Sequence, residues 1–201
     1  MNVDDSRIIK VGEFCLPEDL FVGVKKLENL PDTPGKGSDA RKKERKAGRQ
    51  LIRQLVREEI GDMEFEIFGS PNQKPQGIYG EHPLHISISH VSGLIGGAIS
   101  ENRIVGLDLE NKNRTVHPGL QSRILHPKEG LLEDQHSVLQ IWTLKEAALK
   151  WCGTGLRTAM SKIYITGISR HKYHAVFEDG KETEICNFDY NDHWVSVAYS
   201  L

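Results

Sequence analysis

Cysteine is scarce in this chain. Cys15, Cys152 and Cys186 are its only three among 201 residues, an odd number without the spacing of metal ligands. That argues against a thiolate metal centre and a disulfide framework, and the expectation is reduced thiols in a cytosol. Long apolar runs are missing too, so no segment reaches membrane-spanning length, and Met1-Asn2-Val3-Asp4-Asp5 does not read as a signal peptide. A cytoplasmic protein with no membrane partner is expected. Nor is there an excess of one charge: 26 Lys and Arg stand against 28 Asp and Glu, a net charge of −2. This makes no case for bulk binding of nucleic acid, so any basic site must be local. Low-complexity segments and short-period repeats are absent.

What is present is the composition of an ordinary globular protein, long enough for one large domain or two small lobes. Short strands are expected at Ile8-Ile9-Lys10-Val11 and Leu20-Phe21-Val22-Gly23-Val24, with turns at Pro31-Asp32-Thr33-Pro34-Gly35. A helix is expected over 39–60, with Ser38 or Asp39 as its cap and Gly61 as its stop. Ala47, Leu51, Ile52, Leu55 and Val56 form its apolar side. Along its flank Arg41, Arg45, Arg49, Arg53 and Arg57 recur every four residues, and arginine suits bidentate contact with phosphate. The alternative is a solvated basic face. Gly48 on the same helix would allow a close approach.

Further along, 63–68 reads as a strand, and a loop carries Gln73-Lys74-Pro75. Leu84 to His90 alternates cleanly, apolar on one face and His85, Ser87 and Ser89 on the other, then turns back through Leu94 to Ser100. His126-Pro127 is expected to open a short helix through Glu133, with Pro127 at its first position. A second long helix spans 137–152, stopped by Gly153-Thr154-Gly155. The rest reads as an antiparallel meander over 162–168, 172–178, 182–188 and 194–201. The fold class is therefore α+β: two similar lobes, each a long helix packed on a small, mostly antiparallel sheet. The lobes are expected at 1–103 and 104–201.

The chemistry is concentrated in two short stretches. Gly106-Leu107-Asp108-Leu109-Glu110 follows the apolar Ile104-Val105, as a buried strand does when it runs out to a surface. Residues two apart on a strand share a face, so Asp108 and Glu110 stand about 7 Å apart and repel unless a cation or proton intervenes. On the second helix Trp142, Glu146 and Lys150 recur every four residues along one side. A third carboxylate is thus held rigidly, with an ammonium one turn beyond. Three carboxylates make a reasonable cage for Mg²⁺, a hard ion that prefers oxygen ligands and a phosphate partner. Read singly, an Asp-x-Glu can be only the polar face of an edge strand.

The order Gln73-Lys74-Pro75, Ser87-Ile88-Ser89-His90, Gly106-Leu107-Asp108-Leu109-Glu110 and Trp142-x-x-Lys145-Glu146-Ala147-x-x-Lys150 resembles 4′-phosphopantetheinyl transferases of the surfactin-synthetase type. Gly48-Arg49-x-Leu51-x-Arg53, His126-Pro127-x-Glu129 and Gly153-x-Gly155-Leu156 add to the likeness, which covers about residues 40–165. The resemblance implies transfer of the phosphopantetheine arm of coenzyme A to a serine of an acyl or peptidyl carrier protein, releasing adenosine 3′,5′-bisphosphate. It implies Asp108, Glu110 and Glu146 as ligands of Mg²⁺ (Mn²⁺ as the alternative), with Lys150 near the phosphates. The chemistry then gives the serine's proton to Glu146, or to a metal-bound water it orients, and has Lys150 stabilise the leaving phosphate. Lys74, Pro75, Ser89 and His90 would line the coenzyme A pocket, Lys145 would sit near the phosphates, and Arg45, Arg49 and Arg53 would face the 3′-phosphate. The N-terminal lobe would then supply the basic helix and pocket wall, the C-terminal lobe the metal-binding strand and helix. The length fits the pseudo-dimeric members, so a monomer is expected.

Two rivals use other chemistry. Acidic pairs with a lysine also suit a metal-dependent nuclease, and Glu110-Asn111-Lys112 supplies the Glu-x-Lys. That reading gives no role to the Trp142–Lys150 helix or to His90. A non-catalytic module that docks on carrier proteins would use the basic surface alone.

Overall fold

The computed structural model describes residues 9–10, 12, 14–26, 38–62, 64–69 and 73–201. The expected turns at 31–35, the strand ends at Ile8 and Val11, and Met63 lie outside them, as do the side chains of Ser38, Asp39 and Arg41. The chain divides into two compact units after Asn102.

The first unit holds β1 (Ile9–Lys10), β2 (Leu20–Lys26), α1 (Ser38–Glu59), β3 (Phe65–Phe68), β4 (Gln76–Tyr79), β5 (His82–Val91) and β6 (Leu94–Ser100). Its strands form one sheet in the order β1-β2-β6-β5-β4-β3, every pair antiparallel. Helix α1 lies on β6 and β5 because its apolar side fits theirs: Leu51, Ile52, Leu55 and Val56 bury against Leu84, Ile86, Ile95 and Ile99. Gln73-Lys74-Pro75 lies outside the strands, as expected, and β4, which was not expected, follows it directly.

The second unit holds β7 (Val105–Asn111), α2 (Leu120–Ile124), α3 (Gly130–Gln135), α4 (Val138–Cys152), β8 (Ile163–Gly167), β9 (Lys172–Phe177), β10 (Glu182–Tyr190) and β11 (His193–Tyr199). The sheet order is β7-β11-β10-β9-β8, again antiparallel throughout. The two units share one connectivity. A strand leads to a helix, a four-strand meander follows, and its last strand pairs with the first (β2 with β6, β7 with β11). The fold is α+β, with a long helix on an antiparallel sheet in each unit.

Helix α4 begins where Ser137 Oγ accepts from the Gln140 amide at 3.2 Å, and it ends at Gly153 in the left-handed conformation, φ 77°. Its Ile141, Leu144, Ala147 and Ala148 enter a core with Ile163, Ile165, Tyr173, Ala175 and Ile185. Pro127 does not open a helix as expected. The Glu129 carboxylate reaches back to the His126 amide at 2.7 Å and holds 126–129 as a turn, so α3 starts only at Gly130. Cys152 is the free cysteine among the described residues, which corrects the expectation of three reduced thiols. No helix among these residues is long and apolar enough to cross a membrane.

Glycine is required where α4 meets β7. A Cβ on Gly106 would lie 2.2 Å from the Ala147 carbonyl oxygen and 2.3 Å from the Trp151 amide nitrogen. Both are backbone atoms that cannot turn aside, unlike the flexible side chains around Gly48 and Gly97. Gly106→Ala is therefore expected to cost at least about 3 kcal/mol in urea unfolding, the high end for overpacking. A loss under about 1 kcal/mol would show that the helix can retreat without penalty.

Candidate active site

Strand β7 is buried along most of its length, and its two faces differ in kind. Val105, Leu107 and Leu109 carry one face; Gly106, Asp108 and Glu110 carry the other, with both carboxylates only 7 % exposed. Because Gly106 admits α4 on that second face, the helix lies beside the acids. Trp142, Glu146 and Lys150 form a half-exposed line on a helix that is otherwise mostly buried. Lys150 Nζ donates to Asp108 Oδ1 at 2.8 Å and to the Leu107 carbonyl at 2.9 Å. Arg114, in the loop after β7, holds Glu110 Oε2 at 3.0 Å, and its guanidinium lies 5.5 Å from the centre of the Trp142 ring.

Two of the three acids thus have a cation each, and Glu146 has none. Its carboxylate makes no hydrogen bond or ion pair among the described residues. Burial, followed by the charge of Asp108, pushes its pKa up to about 7; Lys150 opposes the shift and Glu110 adds to it. Glu110 is also raised, chiefly by burial, with Arg114 pulling the other way. The acids therefore feel one another across the strand–helix contact. Among the described residues, no three such side chains stand close enough to enclose a cation as they are. The donor set nevertheless suits a hard divalent ion: three carboxylates on two rigid elements, one of them without an ion pair or hydrogen bond of its own among the described residues.

Lys145 departs from its expected place near the phosphates. It is fully buried, and its ammonium is taken up by Glu129 and by the carbonyls of Ile124 (2.6 Å), Met160 (3.2 Å) and Ile163 (2.9 Å). Burial lowers its pKa, and Glu129 opposes that shift. Glu129 accepts in addition from the His126 and Ile165 amides, both at 2.7 Å. The pair fastens α4 to the turn before α3 and to the start of β8. Lys112, the lysine a nuclease would need, bonds Asp189 at 3.1 Å and lies over the Trp194 ring.

The other expected residues lie in the first unit. Arg49 is half-buried and donates to the carbonyls of Ile67 and Gly69, each at 3.4 Å. Gly69 in turn packs against Pro75, whose Cα lies 3.2 Å from where a Cβ would stand. That contact brings Arg49 toward the Lys74-Pro75 segment. Burial, then the charge of Lys74, lowers the pKa of His85. His90 Nε2 lies 3.1 Å from the buried Glu44, which joins α1 to β5. Ser89 is buried, whereas Arg45 and Arg53 are exposed. Gly48 is filled by its own sheet: a Cβ there would meet Ile88 at 2.7 Å, so its close approach is to β5 and not to a ligand.

Sequence reasoning gave no function to Gly106, Glu129 or Arg114. An isolated glycine within an apolar strand is a signal of close backbone approach and could have identified the first. The roles of the other two depend on packing.

The family model of the 4′-phosphopantetheinyl transferase superfamily matches residues 104–198. A search of curated proteins finds no match.

Two outcomes follow from this geometry. With a chelator present, unfolding free energy should fall as pH rises from about 4.5 to about 7, because the folded state keeps a proton on Glu146 that the unfolded state releases. Glu146→Gln removes that dependence, so above pH 7 the variant should be more stable than the parent by about 2 kcal/mol, after discounting for partial exposure. Parallel pH–stability curves would refute it. Lys145→Met leaves Glu129 charged in the core and should cost about 3–5 kcal/mol in urea unfolding, with Lys145→Met/Glu129→Leu recovering much of it. A double variant no better than the single would show that the pair does not act as a unit.

Proposed function

We propose that this chain is a phosphopantetheinyl transferase, a reading supported by the match of residues 104–198 to the family model of the 4′-phosphopantetheinyl transferase superfamily. It moves the 4′-phosphopantetheine of coenzyme A to a serine of an acyl or peptidyl carrier protein, with Mg²⁺, in the manner of the surfactin-synthetase type. Asp108, Glu110 and Glu146 would hold the ion. When bound, the ion supplies charge neutralisation at the pyrophosphate.

The observation that carries this reading is the uncompensated Glu146 carboxylate beside two further acids and a lysine. Without an ion, burial and Asp108 raise the Glu146 pKa to about 7; a bound divalent ion would lower it and keep the carboxylate ionised to take a proton. The carrier serine loses its proton to Glu146 as its oxygen attacks the β-phosphorus of coenzyme A. The bond from that phosphorus to the bridging oxygen breaks, and adenosine 3′,5′-bisphosphate leaves with the electron pair. Lys150, half-buried on the same helix line, neutralises charge as the leaving group departs. Arg45, Arg49, Arg53, Lys74, Pro75, Ser89 and His90 are assigned to coenzyme A, the three arginines to its 3′-phosphate. Lys145 is not among them, since its ammonium is already fully used.

The test is the intact mass of an apo carrier protein incubated with this protein, coenzyme A and Mg²⁺. One phosphopantetheine is expected to be added, and a chelator should prevent it. Glu146→Gln should lower the rate at least about a hundredfold, as loss of a general base does. Unmodified carriers together with metal-dependent nicking of plasmid DNA would replace this reading with the nuclease.

A further inference from the structure

Three polar side chains are buried under the first half of α4, in a core that is otherwise apolar. Gln140 is 7 % exposed, Asn187 2 % and Ser196 0 %. They are joined end to end. His136 Nδ1 donates to Gln140 Oε1 at 3.2 Å, and Gln140 Nε2 donates to Asn187 Oδ1 at 2.8 Å. Asn187 Nδ2 then donates to Ser196 Oγ at 2.9 Å and to the Val195 carbonyl at 3.2 Å. An amide oxygen only accepts, so every donor in the chain points the same way and each bond polarises the next. The chain runs from the half-buried His136 through β10 to β11, where Ser196 is the register partner of Asp108.

The Gln140 side chain is diverted from a local task. Ser137-x-x-Gln140 has the spacing of a capping box, in which the glutamine side chain returns to the amide of the cap residue. Here the Gln140 amide does bond Ser137 Oγ, at 3.2 Å, but its side chain leaves the helix end for Asn187. Apolar side chains of the same shape would serve burial as well. What the amides add is direction.

Direction matters because of Glu146. Its carboxylate makes no hydrogen bond or ion pair among the described residues, so the lie of α4 alone fixes it. Lys150 is held independently, by Asp108 and the Leu107 carbonyl. Lys145 ties the helix to Glu129 and to the carbonyls of Ile124, Met160 and Ile163, none of them in β7, β10 or β11. Gln140 lies six residues before Glu146, about 9 Å along the axis, and ties α4 to the strand that pairs with the acids. Glu146 therefore stands between two fastenings to that side of the sheet, Lys150 after it and Gln140 before it.

From this we infer that Asn187 is a positioning residue for Glu146: through Gln140 it fixes the lie of α4 over β11, and with it the distance from Glu146 to the acids of β7. The inference rests on the transferase reading and adds to it what places the base.

The test replaces the chain with apolar side chains of similar shape, Gln140→Met/Asn187→Leu/Ser196→Ala, with the single variant Gln140→Met beside it. Both partners of each buried bond go together, so the urea midpoint and the circular dichroism should stay near the parental values. Transfer to an apo carrier protein is followed by intact mass over a range of coenzyme A concentrations. The kcat should fall about tenfold or more, as a displacement of about 1 Å near the reacting atoms does, while the KM for coenzyme A stays within about twofold. The decisive readout is a cycle with Glu146→Gln. Where residue 146 has already lost its carboxylate, the same replacement should lower kcat less than about twofold.

Parental kcat in the folded apolar variant would overturn the inference and leave the transferase standing. So would equal falls in kcat with and without Glu146→Gln, since the chain would then act on the rate by a route other than Glu146. If the triple variant does not fold, Gln140→Met is taken through the same cycle and judged by the same two outcomes. A parent that modifies no carrier protein would overturn both readings.

Discussion

Helix α4 can lie against β7 only because residue 106 has no side chain. The Ala147 carbonyl and the Trp151 amide occupy the space a Cβ would need. Everything distinctive about the second unit follows from that approach. It brings Lys150 to Asp108, sets Glu146 where it feels both strand acids, and leaves Trp142 beside Arg114. A helix displaced outward by even one methyl group would leave Asp108 and Glu110 without the residues that face them.

The contact is held from the other side by Lys145 and Glu129. A buried ion pair is weak evidence for stability, since desolvation offsets most of the attraction. Its value here lies in geometry. One ammonium bonds a carboxylate and three carbonyls from separate segments, and the carboxylate accepts two further amides. No aliphatic replacement could specify so many directions at once. The neighbouring Lys145 and Glu146 therefore divide the work of α4. The first points into the core and fixes the helix; the second stays at the surface line, short of a counter-charge.

The two units show how little a fold says about chemistry. Both run strand, helix, four-strand meander, and both close the last strand on the first. Yet β2, which takes in the unit 1 sheet the place that β7 takes in unit 2, carries no acid, and α1 offers arginines along the flank of its buried side. Repetition of the architecture with different side chains gives one unit a set of acids and the other a set of bases.

Sequence alone determined the α+β class, the long helices and the antiparallel meander. Those depend on local periodicity, and 3.6- and 2-residue spacings are visible without any partner. The pairing of Asp108 with Glu110 on one face was legible for the same reason, as was the line of Trp142, Glu146 and Lys150. Tertiary structure alone decided the rest. It separated Lys145 from Glu146 by burying one fully and the other only in part, and it filled the space at Gly48 with Ile88. Arg114 was joined to Glu110, and the 126–129 segment became a turn around a carboxylate where a helix had been expected. Each of these depends on which atoms from distant segments compete for one volume or one charge, and no local pattern records that competition.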